Sequence, residues 1–115
     1  PFEKKELKYT GKIDTELSDE EAKESVSLST NNLLWNLNDA ISELEINRIK
    51  CLNLRGYFNC TKNFKNHSLL FDISSNLLIR VLGEADGSHS RSVIGVNFLP
   101  KESPVEIDGI FGILD

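Results

Sequence analysis

Arg91 is an isolated cation at the start of one predicted strand, and Glu106 and Asp108 are carboxylates inside the next. A guanidinium is planar and permanently charged, and it can hold a carboxylate through two parallel hydrogen bonds. A carboxylate in a partly closed pocket is suited to proton transfer. These residue types fit a site that binds a small carboxylic acid and moves protons on it. On residue type alone, a simpler interpretation is that Arg91 is a surface arginine and Glu106 is an exposed carboxylate at a sheet edge.

The two strands that carry these charges are predicted over residues 92–98 and 104–113. Strand side chains alternate between faces. One set of faces carries two apolar rows, formed by Ile94, Val96 and Phe98, and by Val105, Ile107, Phe111 and Ile113. The other set carries Arg91, Val93, Gly95 and Asn97, and Glu106 and Asp108. We expect the apolar rows to pack in the core and the charged faces to meet solvent or a site.

Arg91 and Glu106 do not meet in the simplest pairing of these strands. In a hairpin, Arg91 would lie opposite about Phe111, and Glu106 would be about 17 Å further along the strand. A joint site therefore requires a different strand pairing or a neighbouring chain.

The rest of the chain alternates between strands and helices. We predict a strand over 7–13, a helix over 19–44, a strand over 49–58 and a helix over 68–82. Ser18 and Glu21 have the spacing of a capping box, which starts the long helix. In the strand at 49–58, alternation places Leu52, Leu54 and Phe58 on one face and Cys51, Asn53, Arg55 and Tyr57 on the other. The order predicts a two-layer α+β domain, with both helices on one face of a mixed sheet.

The second face of that sheet has no predicted helix to cover it. The residues expected there include Val93, Ile110, Leu114, Cys51 and Tyr57. A face this apolar is normally buried between subunits, so we expect an oligomer.

Composition narrows the class of protein. The 115 residues fit one domain, 1–115, and 39% of them are hydrophobic. There is no run of about 18 apolar residues, so no transmembrane helix is predicted. The net charge of −5 argues against a nucleic-acid partner, whose binding surface is normally basic. We expect a cytoplasmic protein, although an organelle is not excluded.

The cysteines and histidines form no recognisable motif. Cys51 and Cys60 could pair, but two reduced thiols fit such sparse cysteine usage better. His67 and His89 lack metal-ligand spacing, and no Cys/His or Ser/His/Asp nucleophile motif is present. Loop or capping roles are expected for both histidines.

Several short motifs resemble, in order, the YjgF/YER057c/UK114 (RidA) family of enamine and imine deaminases. The chain matches that family at Arg91-Ser92, Leu99-Pro100, Val105-Glu106-Ile107, Tyr9 to Lys12, Asn32 to Leu34, Gly56 to Asn59, and Leu82 to Glu84. The resemblance covers nearly the whole chain. The chain begins at Pro1 and contains no methionine, so we expect a fragment or processed form that lacks the family's first strand.

The resemblance implies a homotrimer with pockets between subunits and without a metal or organic cofactor. Arg91 would bind the carboxylate of 2-aminoacrylate-type enamines or their imine tautomers, and Glu106 would hold the attacking water. A backbone N–H near Ser92 and Val93 would add a donor. Asp72 falls where relatives usually carry a pocket-facing asparagine, and an aspartate pointing inward would repel a carboxylate.

Three functions follow from this resemblance, in order of preference. The first is hydrolytic deamination of reactive enamines and imines to 2-keto acids and ammonia. The second is a trimer that senses a small ligand or binds a protein without catalysis. The third is an endoribonuclease that inhibits translation, which the acidic composition disfavours.

Overall fold

The computed structural model describes residues 2–3 and 6–114. The strands are β1 (Phe2–Glu3), β2 (Glu6–Leu7), β3 (Arg48–Asn59), β4 (Ser90–Val96) and β5 (Val105–Leu114). The helices are α1 (Asp19–Glu43), α2 (His67–Leu82) and the short α3 (Glu84–Gly87), and a 3₁₀ turn spans Pro100–Glu102. From residue 19 onward, every predicted strand and helix is present, with ends that agree to within two residues. Within that part of the chain, α3 and the 3₁₀ turn are the described elements that were not predicted, and β1 near the start of the chain was not predicted either.

The predicted strand over 7–13 is wrong. Of residues 6–18, only Glu6 and Leu7 are in a strand, and residues 8–18 form turns and irregular structure. Gly11 has a φ of 109°, a conformation that favours glycine and breaks an extended chain. Two isolated backbone hydrogen bonds attach this segment to the rest of the domain. Gly11 N donates to Glu102 O (2.8 Å), and Ile13 N donates to Asn59 O (2.9 Å).

Helix α1 begins at the predicted capping box. Ser18 Oγ accepts a hydrogen bond from Glu21 N (3.1 Å), and Glu21 Oε1 accepts one from Ser18 N (2.9 Å). The helix is joined to α2 by a buried contact between Thr30 Oγ1 and Ser74 Oγ (2.6 Å). The described residues contain no helix with the length and hydropathy needed to cross a membrane.

The main sheet has the strand order β4-β3-β5, so the strands carrying Arg91 and Glu106 do not form a hairpin. Strand β3 runs parallel to β4 and antiparallel to β5. Arg91 is paired with Leu54, and Glu106 is paired with Tyr57. The charged strands are therefore the two edges of this sheet, with β3 between them.

A bulge in β3 changes which side chains face the helices. The pairing with β5 shifts between Cys51 and Asn53, so Leu52 is an extra residue without a partner. Cys51, Leu54 and Phe58 are all fully buried and form one core with Val26 of α1 and with Phe71 and Leu78 of α2. The prediction that Cys51 lies on the face opposite Leu54 is wrong, because the bulge places two residues where strict alternation expects one.

The predicted faces of β4 are also reversed. Val93 packs against the core, while Ile94 is 51% exposed and Phe98 lies beyond the strand at 74% exposed. Arg91 shares the helix-covered side of β4 with Val93. The predicted faces of β5 are largely confirmed, since Val105, Ile107 and Phe111 contact the core, although Ile113 is 64% exposed.

The other face of the sheet is open, as predicted, and Tyr57 and Ile110 lie on it as expected. The prediction is wrong for Val93 and Cys51, which lie on the covered side. Leu52, Ile94 and Ile110 lie on the open face, and each is about half exposed. On this face, each β3 residue lies between one residue of β4 and one of β5. In the order β4, β3, β5, the three rows are Ile94, Tyr57 and Glu106; Ser92, Arg55 and Asp108; and Ser90, Asn53 and Ile110.

Candidate functional site

Arg91 lies at the boundary between β4 and α2, where its guanidinium contacts the first turns of the helix. Nη2 donates to Ser68 Oγ (2.8 Å) and Ser68 O (3.3 Å), and Nη1 donates to Ser75 Oγ (3.1 Å). Nη2 also forms an ion pair with Asp72 Oδ1 (2.9 Å). The Arg91 side chain is 25% exposed, so part of the guanidinium remains open to a ligand.

Phe71 supports the guanidinium from the core side. Arg91 Cζ is 5.5 Å from the centroid of the Phe71 ring, an arrangement that adds a cation–π attraction. On β3, a β carbon on Gly56 would lie 2.7 Å from Phe71 Cε1. The absence of a side chain at Gly56 therefore lets the Phe71 ring pack directly against the backbone of the strand. Arg91 is thus positioned by a packed aromatic side chain as well as by hydrogen bonds.

Asp72 points at the residue expected to bind the substrate. Its carboxylate takes up donor capacity on Nη2 that a substrate carboxylate would need for two-point binding. A ligand carboxylate must compete with Asp72, whose side chain is 50% exposed.

Ser92 and Val93 follow Arg91 on the edge strand but point in opposite directions. Ser92 is exposed on the open face, and Val93 is partly buried against the core. An edge strand has backbone N–H groups without a ladder partner on its outer side. Such a group beside Arg91 is a possible donor to a bound carboxylate.

Glu106 lies far from Arg91 in the same subunit. It is exposed on β5, at the opposite edge of the sheet and on the opposite face. It lines a cleft of about 350 Å³ between α1 and the β5 edge, together with Ser29, Asn32 and Lys101. The Ser29 hydroxyl is buried there and has no hydrogen-bond partner among the described residues. A single copy therefore cannot bring Arg91 and Glu106 together.

A third group, formed by Cys60 and His67, was not identified from the sequence. Cys60 Sγ lies 3.6 Å from His67 Nε2, and both residues line a cleft of about 410 Å³ at one end of the sheet. The two flank the loop between β3 and α2. That loop turns back on itself, so Cys60 and His67, which are seven residues apart in the sequence, come into contact. Their positions at the two ends of a short predicted loop were the one feature of the sequence that could have indicated this contact. Both cysteines are free thiols, as predicted.

Charges around Cys60 come from the segment before α1. The Asp14 carboxylate accepts a hydrogen bond from Thr61 N (3.1 Å). Burial raises the pKa of Asp14, but the hydrogen bonds from Thr61 and from the Asp14 backbone, together with the charge of Lys12, outweigh it and hold the pKa below its usual value. Lys12 Nζ donates to Asn59 Oδ1 (2.9 Å) and to Asn97 O. In the part of the chain that the structure describes, no three His, Cys, Asp or Glu residues are grouped to hold a metal ion.

Comparison with known proteins supports the fold. No family model matches the chain. Protein TCP17 of Trypanosoma cruzi is 26% identical over 102 residues, which is 88% of this chain and 62% of TCP17. The chain thus spans about three fifths of the length of this curated relative.

Two solved structures are similar over almost the entire chain. Protein Atu1372 of Agrobacterium tumefaciens, of unknown function, has a TM-score of 0.85 and 28% identity, covering 99% of this chain and 71% of that one. A protein of Shewanella oneidensis MR-1, provisionally described as an endoribonuclease, has a TM-score of 0.84 and 27% identity, covering 98% of this chain and 73% of that one. These likenesses support the YjgF/L-PSP fold family for this mixed α+β domain.

Proposed function

We propose that this protein hydrolyses reactive enamines and imines of the 2-aminoacrylate type to 2-keto acids and ammonia. The observation that carries the proposal is the partly exposed guanidinium of Arg91, held over Phe71 at the β4 edge of this fold. A rigid, partly exposed guanidinium is suited to bind a carboxylate in one orientation.

The proposed reaction needs few groups. Arg91 binds the substrate carboxylate, which fixes the position of the adjacent imine carbon. An enamine first tautomerises to the imine. Water adds to the imine carbon as the C=N π bond breaks, and Glu106 accepts a proton from the water and delivers it to the nitrogen, which gives an amino alcohol. The hydroxyl proton of that intermediate then passes to the nitrogen, the C–N bond breaks as the carbonyl of the keto acid forms, and ammonia leaves.

This reaction requires two copies at each site, because Arg91 and Glu106 lie at opposite edges of one sheet. In a closed ring, β4 of one copy approaches β5 of the next, and each site receives one residue from each copy. The half-exposed Leu52, Ile94 and Ile110 on the open face supply an apolar surface for such packing. We propose a homotrimer.

We expect the purified protein to sediment at about three times its 12.9 kDa chain mass at micromolar concentration. Ile94→Glu and Ile110→Glu should each dissociate the trimer, because a charge would be buried between open faces. Leu69→Glu, at a 69% exposed position on α2, is the matched control and should not change the mass. A stable wild-type monomer would rule out a site shared between copies.

The test of the function is ammonia release from 2-aminoacrylate or 2-iminobutyrate generated in situ. We expect release well above the rate of spontaneous hydrolysis. A wild-type rate equal to the spontaneous one, measured on an assembled trimer, would overturn the proposal.

A ligand sensor is the second candidate, favoured by the contact between Asp72 and Arg91 (2.9 Å). An internal carboxylate on the binding arginine is compatible with reversible binding, in which a ligand displaces Asp72 and changes the α2 surface. Keto-acid binding by calorimetry without ammonia release would favour this candidate. The endoribonuclease description belongs to the Shewanella protein. This chain has a net charge of −5, which offers little attraction for RNA.

A further inference from the structure

Cys60 and His67 form a thiol–imidazole pair with a fixed geometry. Cys60 Sγ is 3.6 Å from His67 Nε2. The imidazole is held by two aromatic rings: Phe58 lies parallel to it at 6.2 Å and Phe64 lies edge-on at 4.8 Å, measured between ring centroids. A nucleophile beside an oriented base is the arrangement that activates a weak nucleophile for addition.

Gly95 on β4 leaves this pair open to the cleft. A β carbon on Gly95 would lie 2.8 Å from both Cys60 Sγ and His67 Nε2. That position is one bond from the Gly95 α carbon, so it is not open to a ligand. The absence of a side chain at Gly95 instead leaves room for the sulfur and the nitrogen to lie side by side at the cleft.

The base is necessary because the thiol is not readily ionised on its own. Cys60 is only 7% exposed, and burial, together with the negative charge of Asp14, raises the pKa of its thiol. The neutral thiol is a poor nucleophile. Transfer of its proton to His67 during the attack removes this limitation.

We propose that Cys60 and His67 form a second reactive site, at which the Cys60 thiol adds to small α,β-unsaturated carbonyl compounds. Lys62 and Asn97 line the same cleft and provide hydrogen-bond donors for the carbonyl oxygen, where negative charge develops. In the step, a bond forms between Sγ and the β carbon as the C=C π bond breaks. The proton that Nε2 takes from sulfur ends on the α carbon. The product is a thioether, and nothing is oxidised or reduced.

Acrylamide, a small neutral member of this class, is the probe. The intact protein is treated with acrylamide, and the adduct at each cysteine is followed over time by peptide mass spectrometry. We expect Cys60 to react about tenfold or more faster than Cys51, which is fully buried and has no imidazole beside it. His67→Gln should remove most of this advantage, whereas His89→Gln, which changes the other histidine, should leave it intact.

A second variant keeps the proposal testable if His67→Gln does not fold properly. Because Cys51 is fully buried, its reaction rate rises only if the core loosens. If that rate rises in His67→Gln, the proposal is tested by Gly95→Ala instead. The added methyl group would lie 2.8 Å from both Sγ and Nε2 and would displace the two side chains, so Gly95→Ala should slow the reaction at Cys60 about tenfold or more. Equal wild-type rates at the two cysteines, or an unchanged Cys60 rate in a folded His67→Gln or in Gly95→Ala, would overturn the proposal.

Discussion

Replacing Glu106 by glutamine is expected to slow imine hydrolysis by about 10²–10⁴-fold, the usual cost of losing a positioned proton-transfer group. Binding of pyruvate or 2-ketobutyrate should persist, because Arg91 and its neighbours on α2 are unchanged. Glu106 is exposed and lies at a sheet edge, so the substitution should not affect folding. Steady-state ammonia release and calorimetric titration of the same preparation separate the two effects.

Asp108→Asn is the matched control for this experiment. Asp108 is a carboxylate on the same strand and face, two residues away, and forms an ion pair with Arg55 (2.7 Å). We expect turnover in Asp108→Asn to remain close to wild type. If Glu106→Gln and Asp108→Asn behave alike, Glu106 has no specific part in the reaction.

Replacing Arg91 by alanine is expected to abolish deamination and to weaken keto-acid binding by about ten- to a hundred-fold, which corresponds to about 1.5–3 kcal/mol for a charged hydrogen bond. Arg91→Lys should recover only part of the affinity, because an ammonium cannot provide two parallel donors. The domain should still fold, since the lost ion pair is partly exposed and such pairs contribute about 0.2–1 kcal/mol. Thermal unfolding checks that point.

Asp72→Asn is the informative counterpart, because it should act in the opposite direction. Removing the internal carboxylate frees Nη2 and removes repulsion of the ligand, so keto-acid affinity should rise by about two- to five-fold, as expected for a partly exposed pair. Arg55→Ala, which removes a different arginine from its ion pair, should leave affinity unchanged. Unaltered affinity in both Arg91→Ala and Asp72→Asn would make Arg91 a structural residue that fastens β4 to α2.

From residue 19 onward, the helices and strands were predictable because their signals are local. The capping box at Ser18 and Glu21, for example, depends only on neighbouring residues. The faces of the strands were less predictable. One unpaired residue, Leu52, changes the alternation in β3, and the helix-covered face of β4 includes a charged residue, Arg91, held by partners on α2.

The family resemblance singled out Arg91, Glu106 and Asp72, and their roles stay predictions. The arrangement of these residues was not predictable from the sequence, because the separation of Arg91 and Glu106 depends on β3 lying between their strands, a pairing between distant segments. Cys60 and His67 were missed for a similar reason. Their meeting depends on how the loop after β3 folds back and on the missing side chain of Gly95 on another strand.

The bulge at Leu52 has a consequence for how this domain can vary in evolution. Leu52 has no partner on β5, and the residues on either side of it, Cys51 and Asn53, are each paired. A chain without this residue would have a continuous ladder, with Cys51 and Leu54 still facing the helices. Homologues can therefore gain or lose one residue here without repacking the interior. What changes is the outer surface, where Leu52 is 48% exposed. An insertion or deletion at this point would change the surface proposed to contact a second copy, while the interior of the domain stays the same.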